Sequence, residues 1–262
     1  MPDKTLFKGA AKLYPKYRPA YPKQLIDIIK KYTHLNNRAK LLDIGCGPGH
    51  LTIPLSKHCR KVLAVDIDKD MLLEGKRQAK KAKVKNIKWL DSSAENLRLK
   101  SRNFDVVSFS NSLHLMNKKK VLRLVHKILA KDGYLIITTG HGWWNYKTGW
   151  QKYVVDVIKK HLGERRRAGK GFFQKLDHKY ENLLPKFNFK VVLKKDVPIP
   201  KYTMTIEDIT NYLYTTSFAT KHLFKSKHKA FEKDLRNMLI KLNPKGKFVE
   251  KNYFTLIIAK KT

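Results

Sequence analysis

Short apolar runs alternate with amphipathic helical stretches along the first 140 residues. The runs have the length of buried strands, and the stretches between them repeat apolar residues at helical spacing. This alternation is typical of βαβ units, in which helices connect parallel strands and pack on the sheet. It predicts helices at 22–32, about 49–57, 71–83 and 117–129, and strands at 39–45, 61–68, 86–91, 104–110 and 134–140.

After residue 140 the pattern changes. The segment HGWWNYKTGWQKYVVDVIKKHL begins with aromatic residues and continues with helical periodicity. Thr205 is a suitable helix cap with Asp208 three residues on, and Asn243-Pro244 would end a later helix. The remaining elements are strands at 186–195 and 252–261 and helices at 205–214 and 227–242. We therefore expect an α/β fold in which one seven-stranded sheet has helices on both faces.

The sequence LLDIGCGPGH (41–50) joins an apolar strand to a helix through Gly45, Gly47 and Gly49. Glycine lacks a Cβ, so such a turn can adopt positive φ and a ligand can approach its backbone. Asp66 ends the second strand, where a doubly wound fold places an acid that binds ribose hydroxyls. The pattern predicts a nucleoside cofactor; the alternative is a tight turn without a ligand.

NAD and S-adenosylmethionine are the two cofactors that fit this pattern. The spacing G-x-G-x-G differs from the G-x-G-x-x-G of dinucleotide-binding proteins. Asp43 would lie where a pyrophosphate must come and would repel it, whereas it would attract a cationic sulfonium. The residues therefore favour S-adenosylmethionine.

These segments resemble the class I S-adenosylmethionine-dependent methyltransferases. LLDIGCGPGHLT is similar to their motif I, VLAVDID to motif II, and DSSAENLRLKSRNFDVVSFSNSLHLM to the stretch that holds motifs III and IV. The resemblance implies a Rossmann-like fold, S-adenosylmethionine as cofactor and S-adenosylhomocysteine as product. It implies that the cofactor contacts Asp43, Gly45, Cys46, Gly47, Gly49, Asp66, Ile67, Ser93, Ala94, Glu95 and Asn111.

A narrower likeness, to the methyltransferase type 11 or trans-aconitate methyltransferase-like branch, covers nearly the whole chain. It rests on FKGAAKLYPKYRPAYPKQL, on SAENL followed by FDVVSFSNSLH, and on TIEDITNYLYTTSFA. The branch usually has Trp after the strand-four histidine, whereas Leu115 follows His114 here. By this resemblance Tyr14, Tyr17 and Arg18 would cover the cofactor, with Arg18 near a carboxylate. The alternative is an N-terminal strap that only packs on the domain.

The resemblance implies one domain over 1–262, in which each part has its own role. We expect a cofactor-covering segment at 1–35, a cofactor-binding core at 36–140, an inserted helical lid over the substrate at 141–185 and the rest of the sheet at 186–262.

His114 is the candidate general base, because it follows strand four at the edge of the sheet where ligands bind. The alternative is a histidine that only packs or forms a hydrogen bond. Trp143, Trp144 and Tyr146 are candidate substrate contacts. Because Trp143, Tyr146, Trp150 and Tyr153 recur near helical spacing, a packed helix face is an alternative at least as consistent with the pattern. The histidines show no paired spacing, so we expect no metal site.

Charge adds a second functional hypothesis. Lys and Arg number 57 against 21 Asp and Glu, a formal net charge of +36. Such a surface binds nucleic acid or other anions, but lysines spread along the whole chain also describe a solvated basic surface. We expect a small-molecule acceptor, with a carboxylate or hydroxyl as the methylated group. RNA or DNA is the alternative, and a non-catalytic binding protein is a third possibility.

Two features bear on the cellular compartment. Cys46 and Cys59 do not make a disulfide framework, which fits a reducing compartment. No apolar run approaches the ~20 residues of a membrane span, and the first residues lack an apolar signal core. We expect a cytoplasmic protein.

Overall fold

The computed structural model describes residues 3–99, 103–140, 142–173 and 179–262. The helices of these residues are α1 (Tyr14–Tyr17), α2 (Lys23–Thr33), α3 (Thr52–Ser56), α4 (Lys69–Lys81), α5 (Lys118–Ile128), α6 (Trp150–Leu162), α7 (Tyr180–Leu183), α8 (Ile206–Tyr214) and α9 (His228–Leu242). The strands are β1 (Lys40–Ile44), β2 (Lys61–Asp66), β3 (Ile87–Asp91), β4 (Phe104–Ser110), β5 (Leu129–Gly140), β6 (Arg167–Ala168), β7 (Gly171–Phe172), β8 (Phe189–Thr205) and β9 (Lys247–Lys261).

The main sheet of the described residues has seven strands in the order β3-β2-β1-β4-β5-β9-β8. The first five strands in that order are mutually parallel, and β9 runs antiparallel to both β5 and β8. The predicted seven-stranded α/β sheet is confirmed. Strand order reverses between β1 and β4, and open α/β sheets bind ligands outside the carboxyl ends of their strands at such a point.

Helices cover both faces of this sheet, as the sequence predicts. On one face α2 places Leu25 and Ile29 against the buried side of β1. On the other face α5 places Val121 and Val125 against β4 and β5. Each fully buried aliphatic side chain stabilises the fold by roughly 1.5–3 kcal/mol, so the two faces fix the sheet as a rigid platform.

A third apolar cluster lies outside these two layers. It joins α6, α8 and α9 through side chains such as Ile158, Leu213 and Phe231, all fully buried. The segment predicted as a lid therefore shares a core with two helices that follow β8 in sequence. His141 and residues 174–178 of that segment lie outside the described residues.

The hairpin of β8 and β9 is longer than the sequence predicts. Strand β8 runs from Phe189 to Thr205 instead of ending at residue 195, because Pro198 and Pro200 do not break it. A proline is tolerated in an edge strand or at a bulge, where its missing N–H is not needed. β8 is the edge of the sheet, and its register shifts between Ile199 and Tyr202.

Several shorter elements also differ from the expected bounds. The helix after the glycine loop covers only Thr52–Ser56, and β5 begins at Leu129 rather than residue 134. Among the described residues, none of the helices combines the length and the apolar character that a membrane span requires.

Candidate functional site

The glycine loop after β1 is tied to β2 by its backbone. The N–H groups of Gly45 and Cys46 both donate to the Val65 carbonyl, at 2.8 and 3.1 Å. Gly45 has φ of 70°, and a Cβ there would clash with the side chain of Ser112. Gly49 has φ of 88°, and a Cβ there would lie 2.9 Å from the ring of Trp89. These two positions require glycine for the turn and for close packing.

Asp43 lies beneath the loop with its carboxylate fully buried. The hydroxyls of Thr52 and Ser108 donate to it at 2.5 and 2.8 Å. Burial raises the pKa of Asp43 to about 6, against the effect of these two hydrogen bonds, and nearby Asp66 raises it further. Asp43 lines neither of the two cavities described below, so it acts on the loop from underneath.

The first cavity, of about 100 Å³, is named here the Asp66 cavity. Asp66 accepts a hydrogen bond from Gly47 N–H at 2.7 Å and from Asp68 N–H at 2.9 Å, which fixes its carboxylate at the end of β2. Burial raises the pKa of Asp66. Other residues of this wall are Ile67, Asp68, Met71, Ser93, Ala94, Glu95, Asn111, Ser112 and Met116.

The turn after β3 supplies one side of the Asp66 cavity. The Ser93 hydroxyl accepts a hydrogen bond from Asn96 N–H at 3.2 Å and so starts a short 3-10 turn. The Glu95 carboxylate accepts from Asn117 N–H at 2.8 Å, just before α5. The turn is therefore fixed at both ends.

Asn111 follows β4 and lies between the two cavities. Its backbone adopts φ of 53°, and its side-chain carbonyl accepts from Gly140 N–H at 2.6 Å. Its amide donates to the hydroxyl of Tyr21 at 3.3 Å. That hydroxyl also bonds Ser110 at 2.7 Å and Thr138 at 3.1 Å, and burial raises the pKa of Tyr21 to about 12. Tyr21 lies in the YRPAYP segment, whose local pattern does not indicate this role.

The second cavity, of about 550 Å³, is named the Arg18 cavity. It meets the Asp66 cavity at the residues that line both: Phe7, Tyr14, Gly45, Gly47, Ser110 and Asn111. Its other walls come from distant parts of the chain: Arg18, Tyr21, Cys46, His50, His114, Asn145, Arg166, Phe173, Tyr212 and Phe218.

Arg18 is held by the end of α8. It donates to the Thr215 hydroxyl at 2.9 Å, to the Tyr212 hydroxyl at 3.2 Å and to the Thr215 carbonyl at 3.1 Å. Its guanidinium lies 4.7 Å from the centroid of the Tyr212 ring. Burial and the charge of Arg18 lower the pKa of His50 to about 4, so this neighbouring histidine is neutral at pH 7.

Tyr17 lies away from both cavities. Its hydroxyl donates to Glu207 at 3.5 Å in an exposed position, and its ring packs on the third apolar cluster. Tyr17 is the last residue of the single-turn helix α1, and Arg18 follows it. Their side chains point in different directions, so only Arg18 of the two lines the Arg18 cavity.

His114 lies on the wall of the Arg18 cavity, where the sequence placed the candidate base. It is in the 3-10 turn Leu113–Leu115, directly after Asn111 and Ser112. Its ring and that of Phe173 form a T-shaped pair, with ring centroids 6.4 Å apart.

The three aromatic residues expected to contact substrate do not line either cavity. Trp143 is 1% exposed, stacks on Tyr212 and donates its indole N–H to buried Glu250 at 3.0 Å. Trp144 contacts Phe218, and Tyr146 packs in the third cluster. Trp143 is therefore a core residue of the 3-10 turn Trp143–Asn145, which precedes α6. From the same turn, Asn145 reaches the Arg18 cavity.

Comparison with known proteins identifies the loop and its strands. Residues 41–133 match the family model described as "Methyltransferase domain". A Saccharomyces cerevisiae relative named "Probable S-adenosylmethionine-dependent methyltransferase CRG1" is 26% identical over 171 residues, covering 59% of this chain and 56% of the relative. The malonyl-[acyl-carrier protein] O-methyltransferase of Bacillus cereus is 32% identical over 151 residues, covering 54% and 55%. The chain thus spans little more than half the length of these two curated relatives.

Solved structures agree on the fold. The crystal structure of the YcgJ protein of Bacillus subtilis superposes with a TM-score of 0.57 at 16% identity, over 92% of this chain and 99% of that one. This likeness shows the fold, and the family match identifies residues 41–133 as a methyltransferase domain, in agreement with the relative that is named as a probable S-adenosylmethionine-dependent methyltransferase.

Proposed function

We propose that the chain transfers a methyl group from S-adenosylmethionine to a small molecule bound in the Arg18 cavity, at a carboxylate or hydroxyl oxygen. The observation that carries this proposal is the junction of the two cavities at the glycine loop and the end of β4. A volume of about 550 Å³ lies within the range of small-molecule sites, roughly 300–1,000 Å³.

The described residues fit the cofactor. Asp66 is a carboxylate at the end of β2 that faces a cavity, as a partner for ribose hydroxyls must be. Ser93, Ala94 and Glu95 would border the adenine, and the backbone of Gly45 and Gly47 would face the methionine part. Cys46, Ile67 and Asn111 also line the cavities and belong to the proposed contacts.

Asp43 and Gly49 support this site indirectly. Asp43 hydrogen-bonds Thr52 and Ser108 below the loop, and Gly49 permits the close approach of Trp89. Arg18 is the proposed partner of the cofactor carboxylate, because a guanidinium matches that planar group and Arg18 lies beside His50, just after the loop.

A methyl group on a sulfonium is already activated for transfer, so the protein has to hold the acceptor in line and exclude water. Tyr14 and Arg18 line the Arg18 cavity from the N-terminal segment. The Tyr21 hydroxyl, bonded to Ser110, Asn111 and Thr138, fixes the end of β4 at the junction. A carboxylate acceptor needs no base, whereas a hydroxyl acceptor needs a group such as His114 to take its proton.

An oxygen acceptor has one further support. The Bacillus cereus relative is named as an O-methyltransferase of malonyl-[acyl-carrier protein]. We also propose membership of the trans-aconitate methyltransferase-like branch, supported by the YRPAYP and TIEDITNYLYTTSFA segments, both of which contribute residues to the Arg18 cavity.

The test is methyl incorporation from radiolabelled S-adenosylmethionine into a panel of carboxylic acids and phenols, with S-adenosylhomocysteine affinity measured by calorimetry on the same protein. We expect cofactor-product binding and at least one methylated small molecule. No product from any acid or phenol, in protein that binds S-adenosylhomocysteine, would contradict the proposal.

His114→Ala gives the first variant prediction. If the accepting group is a hydroxyl, kcat should fall by about 100- to 10,000-fold, because the proton loses its base. With a carboxylate acceptor, kcat should change less than about tenfold, because an ionised carboxylate has no proton for a base to remove. His126→Ala, on α5 beside Phe189, is the control and should leave kcat unchanged. Unchanged turnover of a hydroxyl acceptor by His114→Ala would remove His114 from the base role.

Because the formal net charge is +36, RNA and DNA are tested as methyl acceptors in the same assay. Electrostatic binding to phosphates is lost steeply as salt rises. Methyl incorporation into RNA or DNA, together with salt-sensitive binding, would replace the small-molecule proposal.

A further inference from the structure

A second arginine of the Arg18 cavity, Arg166, has surroundings that the proposed cofactor contacts do not explain. It comes directly before the short hairpin β6–β7. Its guanidinium carbon lies 4.1 Å from the centroid of the Phe173 ring and 5.0 Å from that of Phe218. Stacking of this kind orients the planar group and leaves its N–H edge available for hydrogen bonds.

That N–H edge is incompletely satisfied. The Nε atom of Arg166 is buried and has no hydrogen-bond partner among the described residues. Within the described ranges, no Asp or Glu forms an ion pair with Arg166 or with Arg18. Buried donors nearly always have an acceptor, and buried charges are normally paired. The ligand that completes this site should therefore carry an anionic acceptor group.

The two arginines differ in how much of their hydrogen bonding the protein provides. Arg18 donates to Thr215 and Tyr212, whereas Nε of Arg166 finds no acceptor in the part of the chain that the structure describes. Burial and the nearby charge of Arg18 lower the pKa of Arg166 to about 10, so both groups remain cationic at pH 7. Two cations in one cavity can each bind an anion. The cofactor supplies one carboxylate, so the second cation is left for an anionic group of another ligand.

The position of Arg166 suits contact with the acceptor. The guanidinium of Arg166 lies over the face of Phe173, and the same ring forms a T-shaped pair with His114, so one ring lies between the anion site and the candidate base. The hairpin is anchored on two sides: Gly169 N–H donates to the Ser217 carbonyl at 3.3 Å, and Lys170 N–H donates to the Asp3 carboxylate at 2.8 Å.

Resting on the function proposed above, we propose that Arg166 binds an oxyanion group of the methyl acceptor, a carboxylate or a phosphate, at a point separate from the methylated oxygen. The acceptor is therefore a small acid with two polar ends. One end lies on Arg166, and the other lies at the junction of the cavities near His114.

The test is calorimetric titration of the S-adenosylhomocysteine complex with C4 to C8 dicarboxylates and with short phosphate monoesters. Each dicarboxylate is paired with its diamide, and each monoester with its parent alcohol. We expect at least one anion to bind the wild-type complex and its neutral analogue not to bind. Preference for one series over the other identifies the oxyanion.

Arg166→Ala should weaken that binding by about 10- to 100-fold, the range of one charge-assisted contact. Arg166→Lys should be intermediate, because it keeps the charge and loses the planar fork. S-Adenosylhomocysteine affinity and Tm should stay unchanged in both variants. Arg165→Ala is the matched control, since that neighbouring guanidinium is exposed and stacks on Phe172.

Three outcomes would overturn the assignment: no anion of either series binds the wild-type complex, Arg166→Ala binds the anion as tightly as wild type, or Arg166→Ala loses only S-adenosylhomocysteine. Anion binding that depends on Arg166 without methyl transfer to any small molecule would support the Arg166 site and contradict the proposed function. Methylation of a neutral acceptor with unchanged kinetics in Arg166→Ala would support the proposed function and contradict the Arg166 site.

Discussion

The Asp66 cavity and the Arg18 cavity share a boundary but differ in origin and charge. Most of the first is built from the ends of neighbouring strands between residues 44 and 116, and acids such as Asp66 and Glu95 are fixed by backbone N–H groups. The second joins the N-terminal segment, which lines both cavities, to residues on either side of the β6–β7 hairpin and to the end of α8, and it contains two arginines. One side thus offers acceptors to a ligand that carries hydroxyls, and the other offers donors to anions.

The largest effect should come from the acidic side. Asp66→Ala is expected to weaken S-adenosylhomocysteine binding by about 1,000-fold, because two charge-assisted hydrogen bonds to ribose are lost together. It should weaken 5′-methylthioadenosine, which has the same ribose and no amino-acid part, by a similar factor. Calorimetry with both ligands measures this.

Asp91→Ala is the control for that prediction. Asp91 pairs in register with Asp66 at the end of the next strand, but its carboxylate is exposed and interacts with Lys69. Retention of S-adenosylhomocysteine affinity within tenfold in Asp66→Ala would show that the acid does not bind the cofactor.

The next largest effect tests whether the cofactor carboxylate lies on the Arg18 side of the boundary between the cavities. Arg18→Ala should weaken S-adenosylhomocysteine by about 100-fold, since the cofactor carboxylate loses its guanidinium. Its affinity for 5′-methylthioadenosine should not change, because that ligand lacks the carboxylate. Equal loss for both ligands would mean that Arg18 supports the fold of the site rather than the carboxylate.

The smallest effect concerns the carboxylate below the shared loop. The pKa of Asp43 rises from 3.8 to about 6 on folding, so between those values the folded chain keeps a proton that the unfolded chain has lost. Stability therefore falls as pH rises through this window, and the cost is complete above pH 6. Asp43→Asn should be more stable than wild type by roughly 1–2 kcal/mol at pH 7.5, since a neutral amide escapes the desolvation penalty.

Urea unfolding of the ligand-free protein at pH 4 and pH 7.5 measures this difference, which should nearly vanish at pH 4. His50 has the opposite slope, because its pKa of about 4 means that stability is lost as pH falls below about 6.5. The variant should therefore gain stability with rising pH more steeply than wild type. Asp91→Asn is the exposed control, and an equal difference at both pH values would contradict the assignment of the penalty to Asp43.

The contrast between the cavities also explains what the sequence could predict. The alternation of strands and helices and the positions of Gly45 and Asp66 follow from local spacing, because one strand, one turn and one helix create each of them. Asn111 and His114 were also placed correctly at the sheet edge, since they follow β4 directly.

The Arg18 cavity depends on contacts between distant segments, which spacing does not encode. The run of residues 165–167 gives no signal that only the middle arginine lines the cavity. Trp143 was predicted on the cavity wall, but buried Glu250 and Tyr212 hold it in the core. Tyr21 was missed because its hydroxyl partners come from β4 and β5, about 90 or more residues later.

The edge strand β8 affects how molecules of this protein associate at high concentration. An edge of 17 residues with free backbone donors would invite the same strand of another molecule to pair with it. Pro198 and Pro200 lack those donors, and Lys190, Lys195 and Lys201 add exposed positive charge along the strand. Two such edges repel each other, so β8 opposes the growth of intermolecular sheets even though it is long enough to nucleate them.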